Sequence, residues 1–315
     1  MGQPLCSVVM PTRDCLSYLK RSIPTIYAQG IEGLEIIVVD DSSRDGSADY
    51  LKGMAQENEN FIVLQSDGIG PGRARNLAIE QAKADYIAFL DADDLWVDGK
   101  LTRQLDFHKR HRDIGFSFSN YSTFTSIETS DYTCFDYWKC AGLLPDDQGY
   151  GILRDAESVV LRHNIVGTSS VVAKREYLQN ANGFSRDLQS ATDWLMWLKL
   201  AEMAPVGVSS EVGMRYMMRA GAITQNHEQR IDAMMKIVAD YRMREEPEIK
   251  AAVRMADANI AIARAEFDHE RGHNWRAIRH YLDAILKKPS KRSLWAAGHS
   301  MADGLKNSLG LDRAA

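Results

Sequence analysis

No stretch of the 315-residue chain approaches the roughly 20 consecutive apolar residues of a membrane-spanning helix. The first residues, Met1-Gly2-Gln3-Pro4, run straight into a strand-like segment, so no signal peptide is expected. Cysteine is scarce: Cys6, Cys15, Cys134 and Cys140 form no C-x-x-C pair. A chain of this length buries roughly three quarters of its unfolded surface and needs no disulfides, so these read as thiols of a reducing compartment. An excess of positive charge is missing as well. Lys and Arg number 38 against 43 Asp and Glu, and a net charge of -5 argues against nucleic acid as the partner. The expectation is a soluble cytoplasmic protein. Its length is about twice the usual ~150 residues of a domain, which implies one large domain with an appendage, or two domains.

Two common nucleotide signatures are absent. G-x-G-x-x-G would have to follow the first strand, where the chain has Pro11-Thr12-Arg13-Asp14. The turn Gly68-Ile69-Gly70-Pro71-Gly72 comes after the third strand and has the wrong spacing, and no Gly-Lys-Ser or Gly-Lys-Thr phosphate loop occurs. What is present is a regular alternation. Short apolar runs at Leu5 to Met10, Leu34 to Val39, Phe61 to Leu64 and Tyr86 to Leu90 are separated by helix-length segments near 15–29, 45–57 and 72–83. Continuous Val/Ile runs between helices predict parallel strands buried on both faces, so a doubly wound, mostly parallel α/β sheet. Ligands of such sheets bind beyond the carboxyl ends of the strands. Those positions are polar here: Thr12, Arg13 and Asp14; Asp40 and Asp41; Asp67; Asp91, Asp93 and Asp94. So many carboxylates around one crevice suggest a metal or several hydroxyl groups as ligand.

After about residue 112 the pattern changes. Ile114 to Tyr121, Val166 to Ala173 and Val212 to Arg219 are predicted strands and Thr192 to Ala204 an apolar helix, while 122–165 shows no clear period. From Asn226 onward the sequence reads as helix, over about 227–244, 248–271 and 274–287, with a last one after Pro289. The division is therefore 1–225 for an α/β domain and 226–315 for an all-helical C-terminal extension.

Leu90-Asp91-Ala92-Asp93-Asp94 is the strongest single signal. Carboxylates at i and i+2 on a strand end project the same way, and hard oxygen ligands suit Mg²⁺ or Mn²⁺ held with a diphosphate. With Ser7-Val8-Val9-Met10-Pro11-Thr12, Glu35-Ile36-Ile37-Val38-Val39-Asp40-Asp41-Ser42-Ser43 and Gly72-Arg73-Ala74-Arg75-Asn76, this block resembles the family 2 glycosyltransferases. These are inverting enzymes of the GT-A, nucleotide-diphospho-sugar transferase fold. The likeness covers residues 5 to about 112, with weaker matches to about 225. Arg13-Asp14 departs from it, since the family commonly has an aromatic followed by Asn there.

The resemblance implies a donor site made by Pro11, Thr12, Asp14, Asp40, Asp41, Arg75, Asp91 and Ala92. Asp41, with Asp40 beside it, would accept hydrogen bonds from the base or ribose of a nucleotide-sugar, Arg75 would lie over the nucleotide, and Asp91 would bind ribose. Asp93 would hold the Mg²⁺ or Mn²⁺ that helps the diphosphate leave. Ser190-Ala191-Thr192-Asp193-Trp194 is similar to the family's acidic block, which makes Asp193 the base that takes the acceptor's proton. Trp194 would wall the acceptor pocket or belong to the core. Arg215-Tyr216-Met217-Met218-Arg219-Ala220-Gly221-Ala222-Ile223-Thr224 is similar to the stretch after the last strand, with Arg219 where the family has His. A guanidinium there would bind diphosphate but could not ligate a metal.

Ala265, Gly272, Ala277, Tyr281, Ala284 and Pro289 fall at the spacings of one tetratricopeptide helical hairpin. A single repeat cannot bury its own face, so the hairpin is expected to pack on the catalytic domain or on a second subunit, as in a homodimer. The alternative is a docking surface for a membrane or a partner enzyme. Lys287, Lys288, Lys291, Arg292 and Lys306 beside Leu294, Trp295 and Leu305 suit peripheral contact with the inner face of a cell membrane. The function expected is transfer of a sugar, with inversion, from a nucleotide-sugar, by family analogy a uridine diphosphate sugar. The acceptor would be a hydroxyl of a saccharide or lipid-linked saccharide in bacterial surface polysaccharide synthesis. The alternatives are a nucleotidyltransferase that makes nucleotide-sugars, which would want a Gly-rich basic signature after its first strand, and a non-catalytic nucleotide-sugar-binding scaffold.

Overall fold

A computed structural model of the chain describes residues 2–125, 128–140, 149–219, 226–289 and 291–308. Ala220 to Thr224 of the last sequence block and 141–148 of the aperiodic stretch lie outside these, as do the side chains of Lys291, Arg292, Leu305 and Lys306. The chain forms two compact units. One is made of Met1–Val160, Asn164–Leu188 and Thr192–Ala220; the other of Leu161–His163, Gln189–Ala191 and Gly221–Ala315.

The first unit opens with the expected alternation: β1 (Cys6–Thr12), α1 (Leu16–Tyr27), β2 (Leu34–Asp41), α2 (Ser47–Glu57), β3 (Phe61–Ser66), α3 (Pro71–Gln81) and β4 (Tyr86–Phe89). β5 (Leu95–Trp96), α4 (Lys100–Arg110), β6 (Phe116–Phe124), β7 (Thr129–Thr133), α5 (Cys134–Trp138), β8 (Tyr150–Leu153) and α6 (Ala156–His163) follow. β9 (Val172–Lys174), α7 (Arg175–Asn180), α8 (Thr192–Met203) and β10 (Val206–Met217) complete it. The strands make one sheet in the order β3-β2-β1-β4-β9-β6-β10-β5, with β7 on β6 and β8 on β10. β1, β2, β3 and β4 are parallel, and every residue of β1 and β2 is buried, as continuous apolar strands covered on both faces must be. Leu19, Ile23 and Ile26 of α1, at helical spacing, join Val8, Met10, Ile36 and Val38 in the core. The second half of the sheet is mixed: β6 and β10 are parallel, and β5, β7, β8 and β9 are antiparallel to their neighbours.

Two predicted strands differ from what forms. The run Val166 to Ala173 divides into a 3₁₀ turn at Thr168–Ser170 and a three-residue strand, β9. Hydroxyl residues after Gly167 close that turn, where Ser170 donates to the Gly167 carbonyl from its backbone N–H at 2.9 Å and its Oγ at 2.7 Å. β10 begins at Val206 rather than Val212, because the polar run Ser209-Ser210-Glu211 hides a register shift within one long strand. Nor does the sequence announce the inner face of α4. There Lys100, Gln104 and His108 are all buried, at successive i+4 positions. Lys100 sits 4.5 Å over the Trp96 ring, and burial pushes it down to about 7 and His108 down to about 4.

The second unit is helical: α9 (His227–Tyr241), α10 (Pro247–Glu270), α11 (Asn274–Lys287) and α12 (Lys291–Ser308). α10 turns into α11 through Gly272 at φ +75°, a left-handed conformation that glycine adopts without a Cβ penalty. Ala265, Ala277 and Tyr281 form a small core, with Ala296 and Ala297 of α12 packed on it. Among the described residues no helix is long and apolar enough to cross a membrane.

Candidate active site

The loops beyond β1 and β2 are fastened to each other. Asp14, at φ +51°, accepts from the Arg44 N–H at 2.7 Å and donates its own N–H to Ser43 Oγ at 2.9 Å, while Asp45 accepts from the Leu16 N–H at 2.8 Å. Asp14 thus serves the loop, beside whatever it does for a ligand. The structure also divides the Asp40-Asp41 pair. Both Asp41 oxygens are taken, by Ser66 Oγ at 2.7 Å and by the N–H groups of Ile69 and Gly70 at 2.8 Å each. Burial pushes the Asp41 carboxyl up, but these three bonds with nearby Arg13 outweigh it and hold the group below the usual carboxylate range. Asp41 therefore shapes the glycine turn before α3. Asp40, side by side with Thr12 in the β1·β2 register, is 1 % exposed, and its Oδ1 has no hydrogen-bond partner.

The Gly72-Arg73-Ala74-Arg75-Asn76 block is explained residue by residue. A Cβ on Gly72 would lie 2.9 Å from Thr192 Oγ1, so glycine lets the start of α3 meet the start of α8. Ala74 is fully buried, and Arg73 donates to the Arg186 carbonyl at 2.8 Å. Asn76 clamps Phe184, accepting from its N–H at 2.7 Å and donating to its carbonyl at 2.9 Å. Phe184 in turn lies 5.5 Å below the Arg75 guanidinium, which is paired with Asp91. Arg75 is buried, and its Nε has no partner. Asp40 and Arg75 are thus two buried groups with one polar atom each left over, and such atoms cost about 1–3 kcal/mol unless something meets them.

Asp91, Asp93 and Asp94 take different parts. Asp94 is a structural acid: it accepts from Ser169 Oγ at 2.6 Å and from the Met217 N–H at 3.0 Å, tying the end of β4 to the end of β10. Burial, and then Asp91 and Asp93 beside it, push its carboxyl well above the ordinary range. Burial also raises Asp91; Arg75 opposes that, and the charges of Asp93 and Asp193 add to it. Ala92 between them is buried. Asp93 accepts from Arg219 Nε at 2.6 Å, and the Arg219 guanidinium also lies 5.2 Å over the Tyr18 ring and 3.6 Å from Cys15 Sγ. Asp193, half-buried in the first turn of α8, accepts from Thr168 Oγ1 at 3.1 Å and from the Trp194 N–H at 2.9 Å.

The acceptor-wall expectation for Trp194 is corrected. The side chain is 1 % exposed and donates its indole N–H to the Val160 carbonyl at 2.9 Å, so it is core and presents no surface to a ligand. Sequence reasoning also missed Ser169, Thr168 and Phe184. Ser169 donates to Asp94, accepts from the Asp91 N–H at 3.0 Å, and its carbonyl receives the Trp96 indole N–H at 2.7 Å. A Gly-Thr-Ser-Ser run is the signal that would have found the turn, and it was hidden by the apolar residues on either side.

Carboxylates and a cation gather past the strand ends of a doubly wound sheet, where sheets of this kind bind their ligands. Residues 7–138 match the model of the glycosyl transferase family 2. The chain is 32 % identical over 199 residues to the putative teichuronic acid biosynthesis glycosyltransferase TuaG of Bacillus subtilis, covering 63 % of this chain and 72 % of that one. It is 27 % identical over 224 residues to the UDP-Glc:α-D-GlcNAc-diphosphoundecaprenol β-1,3-glucosyltransferase WfaP of Escherichia coli, covering 70 % and 80 %. Among solved structures, the mannosyltransferase PcManGT of Pyrobaculum calidifontis, in complex with GDP-Man and Mn²⁺, superposes with a TM-score of 0.64 at 20 % identity, over 96 % of this chain and 81 % of that one. The fold is GT-A, and the chain belongs to the family 2 glycosyltransferases. The nucleotidyltransferase and scaffold alternatives are set aside.

Proposed function

We propose that the protein moves a sugar from a uridine diphosphate sugar to a hydroxyl of a saccharide, free or lipid-linked, in the making of a bacterial surface polysaccharide. The observation that carries the donor site is the buried, unpartnered Oδ1 of Asp40 beside Thr12, a hydrogen-bond acceptor waiting for an N–H or O–H of the nucleoside. TuaG's name places it in teichuronic acid synthesis, and WfaP's names a UDP-sugar donor and a diphosphoundecaprenol-linked acceptor. Both support the reading for this chain.

In it, Asp40 holds the nucleoside and Asp41 keeps the Ile69-Gly70 turn in shape around it. Arg75, fixed between Asp91 and Phe184, lies over the nucleotide and sets Asp91 toward the ribose. The donor set suits a divalent cation bound together with the diphosphate. Asp93 offers one hard oxygen ligand, and among the described residues no cluster of three or more His, Cys, Asp or Glu side chains could hold a metal unaided. Mg²⁺ or Mn²⁺ held there would neutralise charge on the departing diphosphate. Arg219 would release Asp93 to such a cation and offer its guanidinium to the phosphates. Asp193 takes the acceptor's proton as the oxygen attacks, when that hydroxyl has become acidic enough for a carboxylate to deprotonate. Its bond from Thr168 fixes the carboxylate's orientation, and the start of α8 stabilises its charge.

Calorimetry with nucleoside diphosphates in the presence of Mn²⁺ tests the donor half. UDP is expected to bind more tightly than GDP, CDP or ADP. Asp40→Ala should weaken UDP by about 10- to 100-fold, the worth of one hydrogen bond to a charged group, and leave the thermal stability of the free protein equal or higher, because it removes an unpaired buried oxygen. Unchanged UDP affinity in that variant would sink the assignment.

A further inference from the structure

The helical unit has an apolar face that its own core does not cover. α11 buries Ala277, Ile278, Tyr281 and Ala284 along one side. Trp275, Leu282 and Leu286 recur at i, i+7 and i+11 along another, and they are 56, 52 and 85 % exposed. At 3.6 residues per turn these three fall in one narrow stripe, with Arg279 beside it and Asp283 and Arg276 about a quarter turn away. Leu294 and Met301 repeat the seven-residue spacing on the exposed side of α12, with Trp295 also largely exposed. Lys287, paired with Asp283, lines a hollow of about 340 Å³ together with Arg242, Lys250 and Arg254, in which Arg242 pairs with Asp257 and Lys250 with Glu245. The whole chain is acidic, yet from Arg271 to Ala315 nine Lys and Arg stand against three Asp.

We propose that this face of the helical unit seats the protein on an anionic phospholipid bilayer. Trp275, Leu282 and Leu286 enter the interfacial layer, while Arg279 and Arg276 meet lipid phosphates. Apolar side chains on one stripe with cations beside them are the composition of a helix that lies in a membrane surface without spanning it, and tryptophan prefers that depth. The charge pattern selects this occupant over a second copy of the chain. A twofold contact through the stripe would bring Arg276 and Arg279 against their own copies, whereas an anionic surface neutralises both. The inference stands apart from the donor chemistry and is read without turnover.

Sedimentation of the full chain with vesicles of equal parts phosphatidylglycerol and phosphatidylcholine tests it, with pure phosphatidylcholine vesicles as control. Binding is expected to the anionic vesicles only, and to fall away in about 1 M salt, where screening reaches about 3 Å. Arg276→Gln with Arg279→Gln should lower the partition about 30-fold, about fivefold for each cation at such a surface. Leu282→Ser with Leu286→Ser should lower it by at least about tenfold. These side chains are exposed, so circular dichroism and thermal unfolding should match the parent. No binding to anionic vesicles, equal binding to both kinds, or binding unchanged in both variants overturns the proposal. So does a dimer in analytical ultracentrifugation that the double leucine variant splits into monomers.

Discussion

Asp193→Asn is expected to lower sugar transfer by at least roughly 10²- to 10⁴-fold while donor affinity stays nearly unchanged. The substitution keeps the shape of the side chain. An Asn oxygen still accepts from the Trp194 N–H, and the Thr168 hydroxyl, which now donates to the carboxylate, can turn to accept from the new amide. The start of α8 is therefore preserved, and only the capacity to take a proton is lost. If Asp193 merely caps the helix, Asn does so equally well and neither quantity moves. Measuring donor affinity by calorimetry and transfer rate on the same preparation separates the two roles. Wild-type transfer in the variant would pass the role to another carboxylate, with Asp187, shortly before α8, and Glu202, within it, the next to test.

The second large effect concerns Asp93 and Arg219, which are paired at 2.6 Å with side chains 20 and 28 % exposed. Asp93→Ala should abolish the part of UDP affinity that depends on Mn²⁺. Groups that only orient a metal's ligands typically cost 10- to 100-fold when removed, so loss of the ligand itself is expected at or beyond about 100-fold. The fold should persist, because both partners lie at the mouth of the crevice and water can solvate the released guanidinium. Arg219→Gln should act in two directions. Mn²⁺ alone, without nucleotide, should bind this variant more tightly than the parent, because the ion no longer displaces a guanidinium from Asp93. UDP should bind it less tightly, because the diphosphate has lost a cation. Mn²⁺ titrations by calorimetry with and without UDP read both effects. A variant that binds Mn²⁺ no better than the parent would show that Arg219 does not hold the metal's place.

The parallel half of the sheet was legible because its signal is local. Apolar runs of four to eight residues such as Ile36 to Val39 have one stable fate between helices, and the acids that follow them mark the strand ends. The mixed half was not, because antiparallel pairs there are made by short or interrupted strands. β5 has two residues, β9 has three, and β10 carries Ser209-Ser210-Glu211 through a register shift, so none shows a period that a sequence window can read. The candidate site divides in the same way. Asp40, Arg75, Asp91, Asp93 and Asp193 were visible as residue types in characteristic blocks. What separates a group free to meet a ligand from one serving the fold is tertiary. Asp41 and Asp94 look like their neighbours in sequence, yet their oxygens are occupied by Ile69, Gly70 and Ser66 in one case and by Ser169 and Met217 in the other. Trp194 likewise stands next to the candidate base in sequence and points into the core in space.

Direct displacement by one hydroxyl on one face of the sugar is the central chemical claim, and the configuration of the released sugar tests it most directly. In the absence of acceptor, water is expected to take the acceptor's place slowly, so UDP-sugar hydrolysis reads the same step. Proton NMR of a reaction with an α-linked UDP-sugar and Mn²⁺, recorded before the sugar equilibrates in solution, should show the β anomer formed first together with UDP. Asp193→Asn should release it far more slowly. First formation of the α anomer, or a release rate that Asp193→Asn leaves unchanged, would contradict single displacement with Asp193 as the base.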